Sequence, residues 1–276
     1  MRHPAARPPG VTSRRTAVLV PLLVAAVVAL VVVLRSGGLP DVPLAAGEPE
    51  RPAGPVLLVP GYGGSTEALE PLAARLRAAG REAELVDLPG GAVGDLRAQA
   101  RVLDAAVDEA LVAGAPSVDV VGYSAGGVVA RVWAEELGGA DAARRVVTLG
   151  TPHQGTTLAG IARDVAPRQC PAACRQLAPG SALLTALGAP PEGPLWASVW
   201  SEGDGVVRPA ASARLPGAVD LRLQGLCPGA EVSHGDLPRD PLSVGVVLRA
   251  LTGDDLADAG DADCAALRAA GAPAGA

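Results

Sequence analysis

Residues 118–131 read Val118-Asp119-Val120-Val121-Gly122-Tyr123-Ser124-Ala125-Gly126-Gly127-Val128-Val129-Ala130-Arg131. Val118 to Val121 is a β-branched apolar run of the kind that forms a short buried strand. Beyond Gly126, residues Val128, Val129, Val132 and Trp133 recur at helical spacing. Strand, five-residue turn and helix is the setting in which Gly-x-Ser-x-Gly forms a nucleophile elbow. Gly122 and Gly126 suit it because strand and helix approach too closely there for side chains. Ser124 would then sit in a strained backbone with its hydroxyl turned out of the sheet. In a chain with 35 Gly the motif alone is weak, so the flanking strand and helix carry the inference.

Outward from this stretch, strands and helices alternate. Pro55 to Val59 reads as a strand ending at Pro60-Gly61-Tyr62-Gly63-Gly64. Ser65 is expected to cap a helix running to about Ala79, with Leu69, Leu72 and Leu76 on one face and Gly80 as its stop. Ala83 to Leu88 is the next strand. Asp95 caps a helix to about Val112, striped by Leu96, Ala100, Leu103 and Val107. After the elbow helix, which ends near Leu137, Arg145 to Leu149 is a strand closed by Gly150-Thr151-Pro152-His153. Leu195 to Ser201 and Ala218 to Leu223 are further strands, and Pro241 to Leu251 is the last helix. The alternation predicts an α/β fold, a mostly parallel central sheet with helices on both faces. Residues 154–194, rich in Pro, Gly and short helical pieces, break the rhythm and read as a small cap insertion. The domain is thus expected over 55–253, and the Ala-, Gly- and Asp-rich tail 254–276 is expected to be loosely ordered except where Cys264 ties it down.

The 276 residues suit one such domain plus extensions. Aromatics make up 2 % of the chain and Phe is absent, so the core must be Leu, Val and Ala, with Trp133, Trp196 and Trp200 as large fillers. A net charge of −6 and the lack of a basic stripe in the body argue against nucleic-acid binding. Ahead of the domain, residues 16–35 carry an apolar stretch, Thr16 to Leu34, preceded by Arg2, Arg7, Arg14 and Arg15. It is long enough to span a bilayer as a helix, and the flanking charge places residues 1–15 in the cytoplasm and the domain outside. Two readings stand: a retained signal anchor, or a signal cleaved near Ala45-Ala46-Gly47 that releases the domain. Residues 36–54 form a linker.

Export fits the cysteines. Cys170, Cys174, Cys227 and Cys264 are an even set, and of three possible connectivities we expect Cys170–Cys174 and Cys227–Cys264. A metal site is not expected, because no His stands at ligand spacing to them.

A serine hydroxyl is a poor nucleophile near neutral pH and needs a base within hydrogen-bond reach. The chain has three histidines. His3 is on the far side of the membrane segment. His153 follows the strand after the elbow, and His234 lies in Glu-Val-Ser-His-Gly-Asp beyond the last strand. In this architecture the chain order is nucleophile, acid, base, which selects His234 and leaves His153 a structural or cap-contacting role. The acid should end a strand between them; Asp204, in Glu202-Gly203-Asp204-Gly205, is best placed, with Glu202 as rival. Asp220 and Asp236 look structural. Preset donors for the oxyanion would be the backbone N–H groups of Ala125 and Tyr62.

Val-Pro-Gly-Tyr-Gly-Gly, Gly-Tyr-Ser-Ala-Gly, Leu-Gly-Thr-Pro-His-Gln-Gly, Glu-Gly-Asp-Gly-Val-Val and Ser-His-Gly occur in that order between Pro55 and Leu251. Together they resemble the α/β-hydrolase fold, and within it the small bacterial secreted lipases and esterases of lipase class 2 (Bacillus-type). The resemblance implies a cofactor-independent serine hydrolase acting on acyl esters of fatty acids. Pro60 is a departure, since many relatives carry His before the oxyanion glycine. A thioesterase or a cell-envelope acyltransferase would use the same triad, and an inactive membrane-tethered binding relative would not need it. No second chain is called for, and a monomer is expected.

Overall fold

The computed structural model describes residues 51–252 and 263–273. The apolar segment 16–35, its basic flank and the linker up to residue 50 lie outside the described residues. Among those described, no helix is long and apolar enough to cross a membrane.

Six parallel strands form one sheet: β1 (Val56–Val59), β2 (Ala83–Leu85), β3 (Val118–Tyr123), β4 (Ala143–Leu149), β5 (Leu195–Trp200) and β6 (Val219–Arg222). Their spatial order is β2-β1-β3-β4-β5-β6, so the chain runs outward once and then turns back past β1. That reversal leaves a crevice between the carboxyl ends of β1 and β3, where α/β sheets place their ligands. Val59 is level with Gly122 in the register, so the Gly-rich loop after β1 and the elbow after β3 emerge side by side.

Alternation along the strands builds two cores. Leu57, Val59, Val118 and Val120 face α2 (Leu96–Val112) and α3 (Ala125–Glu136), around Leu103 and Trp133. Val56, Leu58, Val121 and Val147 face α1 (Glu70–Ala78) and α8 (Pro241–Thr252), around Leu76 and Val246. Trp133, Trp196 and Trp200 are all buried. Below the sheet, buried Asp119 accepts hydrogen bonds from Arg81 at 2.6 Å and Arg144 at 3.0 Å. These bonds offset what the lone carboxylate would cost in the interior.

The segment between β4 and β5 holds three short helices, α4 (Thr157–Val165), α5 (Ala172–Gln176) and α6 (Ala182–Ala186). It is stitched to the body. Gln176 accepts from the Leu96 amide and donates to Asp95, which itself caps α2 by accepting from the Arg97 and Ala98 amides. Further on, Arg131 donates to the Gly188 carbonyl and Glu135 accepts from its amide.

Both disulfides join the expected partners, Cys170–Cys174 inside the cap and Cys227–Cys264. Cys227 closes the short helix α7 (Leu223–Leu226), and Cys264 opens a helix the sequence reading did not expect, α9 (Cys264–Gly271). The tail from 264 to 271 is therefore not loose. Leu267 is buried, and α9 lies directly on α8: a Cβ on Gly245 would stand 1.9 Å from the Leu267 carbonyl oxygen, and one on Gly271 1.9 Å from that of Pro241. The Ala-rich composition that suggested disorder is what a close helix pair needs, since Ala favours helix and Gly permits contact.

Two other expectations shift. Ser65 does not cap α1. A 3-10 turn, Glu67–Leu69, leads in instead, and Pro71 in the first turn of α1 presets the helical φ without needing a cap. β2 stops at Leu85 rather than Leu88, as Pro89 ends the extended run in a tight turn through Gly90 and Gly91.

Candidate active site

Ser124 has φ 53° and ψ −123°, one of two non-glycine residues with positive φ among those described. Such a backbone is held by its surroundings. The Ser124 amide donates to the Leu149 carbonyl at 2.8 Å, which pins the elbow to the end of β4. The glycines are needed for the reason their spacing suggested. A Cβ on Gly122 would stand 2.5 Å from Gly127 Cα, and one on Gly126 2.3 Å from the Val59 carbonyl oxygen.

His234 opens a 3-10 turn, His234–Asp236, after β6 and α7, and its imidazole reaches the elbow. Its Nε2 is 3.0 Å from Ser124 Oγ and its Nδ1 2.6 Å from Asp204 Oδ2. An ionised carboxylate only accepts, so the imidazole proton sits on Nδ1 and the Nε2 lone pair faces the serine hydroxyl. The other Asp204 oxygen, Oδ1, accepts from the Val206 and Val207 amides, each at 2.8 Å. Asp204 is 2 % exposed and His234 8 %. The structure thus brings together Ser124, Asp204 and His234, with Asp204 fixed by its own loop.

The rival acids stand apart. Glu202 is exposed and accepts from Arg222. Asp220 accepts from Trp200 and Arg214, and Asp236 accepts from Ser233 and Arg239. His153 is buried away from Ser124, with Nε2 3.0 Å from Thr148 Oγ1. Burial, reinforced by the Arg131 charge, holds its pKa well below the ordinary value and keeps it neutral.

The loop after β1 runs against the nucleophile. A Cβ on Gly61 would lie 2.9 Å from Ser124 Cβ and 3.5 Å from its Oγ, so the Gly61–Tyr62 peptide passes alongside the hydroxyl. Ala125 is the first residue of α3, where helix N–H groups have no partner within the helix and the dipole favours negative charge.

Two residues of this neighbourhood escaped the sequence reading. Gly150 has φ +57°, and a Cβ there would stand 3.3 Å from both Asp204 Oδ2 and His234 Nδ1. Tyr123 donates from its hydroxyl to the His234 carbonyl at 3.0 Å, and the two ring centroids are 5.2 Å apart. Both sit inside motifs already singled out, so the signal was present but its partners were not. A hollow of about 910 Å³ opens along β6 beside Trp200 and Arg214, away from Ser124. Backbone strain and the hydrogen-bonded chain, rather than a hollow, single out Ser124 as the candidate site.

No family model and no curated protein matches the chain. Solved structures do. The chain is similar to lipase B of Aspergillus fumigatus, at 19 % identity and TM-score 0.66, over 80 % of this chain and 58 % of that one. It is similar to the mature form of lipase BlEst2 from Bacillus licheniformis, at 21 % identity and TM-score 0.61, covering 76 % and 96 % of the two chains. An α/β-hydrolase enzyme from a lagoon-sediment metagenome aligns at 18 % identity and TM-score 0.51, covering 72 % and 90 %. The chain therefore spans less than two thirds of the fungal lipase. At these identities the likeness establishes the fold, and the protein has the α/β-hydrolase fold.

Proposed function

We propose that the protein is a serine carboxylic-ester hydrolase of lipase or esterase type, akin to the class 2 bacterial lipases. Ser124 Oγ attacks the ester carbonyl carbon while its proton passes to His234 Nε2. Asp204 holds the imidazole and stabilises the imidazolium, and the Tyr62 and Ala125 amides receive the oxyanion. The C–O bond to the alcohol then breaks, the alkoxide leaving with the proton from Nε2. Water repeats the sequence on the acyl-enzyme, releasing the acid and restoring Ser124.

The observation that carries this reading is the hydrogen-bonded chain from Ser124 through His234 to Asp204, set on a strained elbow. An acyl substrate is supported by exposed apolar side chains on the segment tied to the Asp204 loop. Thr156 donates to the Val206 carbonyl and accepts from the Arg208 amide, which joins the start of α4 to the Asp204 loop. From there α4 exposes Leu158, Ile161 and Val165 on one side, with Tyr62 and Val206 also exposed. We also propose that the domain works outside the cytoplasm, tethered by residues 16–35; its two disulfides favour an oxidising compartment.

The test is hydrolysis of p-nitrophenyl esters of increasing acyl length. Ser124→Ala should lower kcat on the order of a million-fold, and near-normal turnover would remove Ser124 from the mechanism.

A further inference from the structure

We infer that Tyr123 is a positioning residue for the base, gripping His234 by its backbone and offering its ring to the imidazolium formed there; this rests on the acyl-transfer reading above. Tyr123 is the last residue of β3, immediately before Ser124, and packs partly buried against the α1 and α8 side of the sheet. Its hydroxyl donates to the His234 carbonyl at 3.0 Å. Its ring lies 5.2 Å from the imidazole centroid with the planes inclined by 31°. One side chain on the nucleophile's own strand therefore holds the loop that delivers the base. Ser124 and His234 are fixed relative to each other through a strand end as well as through the loop that carries His234.

The ring contact matters most when charge appears. While His234 is neutral, an offset aromatic neighbour gains little beyond packing. When His234 takes the Ser124 proton, a cation stands within the roughly 6 Å over which a π face attracts one. Stabilisation felt in the transition state but not in the resting enzyme raises kcat. The charged groups around the pair are Asp204 at Nδ1, and Asp236 and Arg239 on the turn that His234 opens. Burial, with help from the Asp204 charge, pushes the Tyr123 phenol up to about 12, so it remains a donor at any working pH.

The experiment compares the full chain with Tyr123→Phe and Tyr123→Leu, measuring kcat and KM on p-nitrophenyl butyrate across pH, together with the rate of fluorophosphonate labelling. Tyr123→Phe keeps the ring and loses the carbonyl bond, so kcat should fall about 5-fold with KM unchanged. Tyr123→Leu loses both, so kcat should fall about 50-fold, and the acid limb of kcat/KM should move down by about one pH unit as the imidazolium loses a stabiliser. The inference is overturned if Tyr123→Leu keeps its acid limb, or if both variants lose activity only in step with their thermal midpoints. Should Tyr123→Leu not fold, Tyr123→Met, whose longer and more flexible side chain fills an irregular gap better, is read in the same way. A wild-type chain that neither labels nor hydrolyses sinks the esterase reading itself, whereas an active one indifferent to Tyr123 sinks this inference alone.

Discussion

Replacing Gly150 by Ala tests how tightly the site is packed. The residue has φ +57°, and a methyl group there would sit 2.4 Å from Leu237 Cδ1 and 3.3 Å from Asp204 Oδ2 and His234 Nδ1. The left-handed backbone costs a non-glycine residue roughly 1–2 kcal/mol. Leu237 is fully buried and has little room to yield, so overpacking adds roughly 1–3 kcal/mol. Together these destabilise by about 2–5 kcal/mol, which lowers Tm by about 5–15 °C for a domain of this size. The same methyl presses on both members of the acid–base pair, displacing them by a few tenths of an ångström; since a misplacement near 1 Å in such a site costs about a hundred-fold in rate, kcat should fall roughly 3- to 5-fold beyond any loss of folded protein. Gly138→Ala separates the two effects, because Gly138 has φ +75° with nothing within 4 Å of a Cβ. It should lose stability through strain alone and keep full kcat. Both variants would be assayed by thermal unfolding and ester hydrolysis. If Gly150→Ala matched Gly138→Ala in kcat, the crowding argument would fail.

Further outcomes follow from the same contacts. Asp204→Asn should keep the fold yet lower kcat about ten-thousand-fold, because an amide no longer fixes the Nδ1–H tautomer; single-turnover hydrolysis reads this directly. Opening the Cys227–Cys264 bridge, which spans 37 residues, should cost about 4 kcal/mol, and opening Cys170–Cys174, which spans 4, about 2 kcal/mol. Urea unfolding of the Cys→Ser pairs ranks them. His153 is held neutral in the fold, so the unfolded chain takes up its proton first as pH falls below roughly 6.5. Stability should therefore drop on the acid side of that value and not on the alkaline side, and His153→Gln should flatten that part of the urea-midpoint profile against pH.

What could be read from the sequence was whatever short-range spacing determines. Gly122 and Gly126 declared the elbow because the clash they avoid, with Gly127 and Val59, lies in the elbow itself or on the neighbouring strand. Asp204 stood out between two glycines at a strand end, and the cysteine pairing followed from spacing. Tyr123 and Gly150 lie inside legible motifs, yet their roles do not show in the sequence, since their partner at 234 is brought to them only by the fold. That the tail tied down by Cys264 is a helix, Cys264–Gly271, does not show in the sequence, because its stability comes from lying on α8 across Gly245, which local composition does not reveal. Ser65 looked like a cap, but Pro71 offered the chain a different start.

The central claim is that the hydroxyl at 124 is activated by the imidazole 3.0 Å away. The most direct measurement is reaction with a fluorophosphonate, followed by peptide mass mapping of the modified site. One equivalent bound covalently at Ser124, abolished by His234→Ala at neutral pH, is the expected result. Unmodified Ser124 in folded protein, or labelling indifferent to His234, would contradict it.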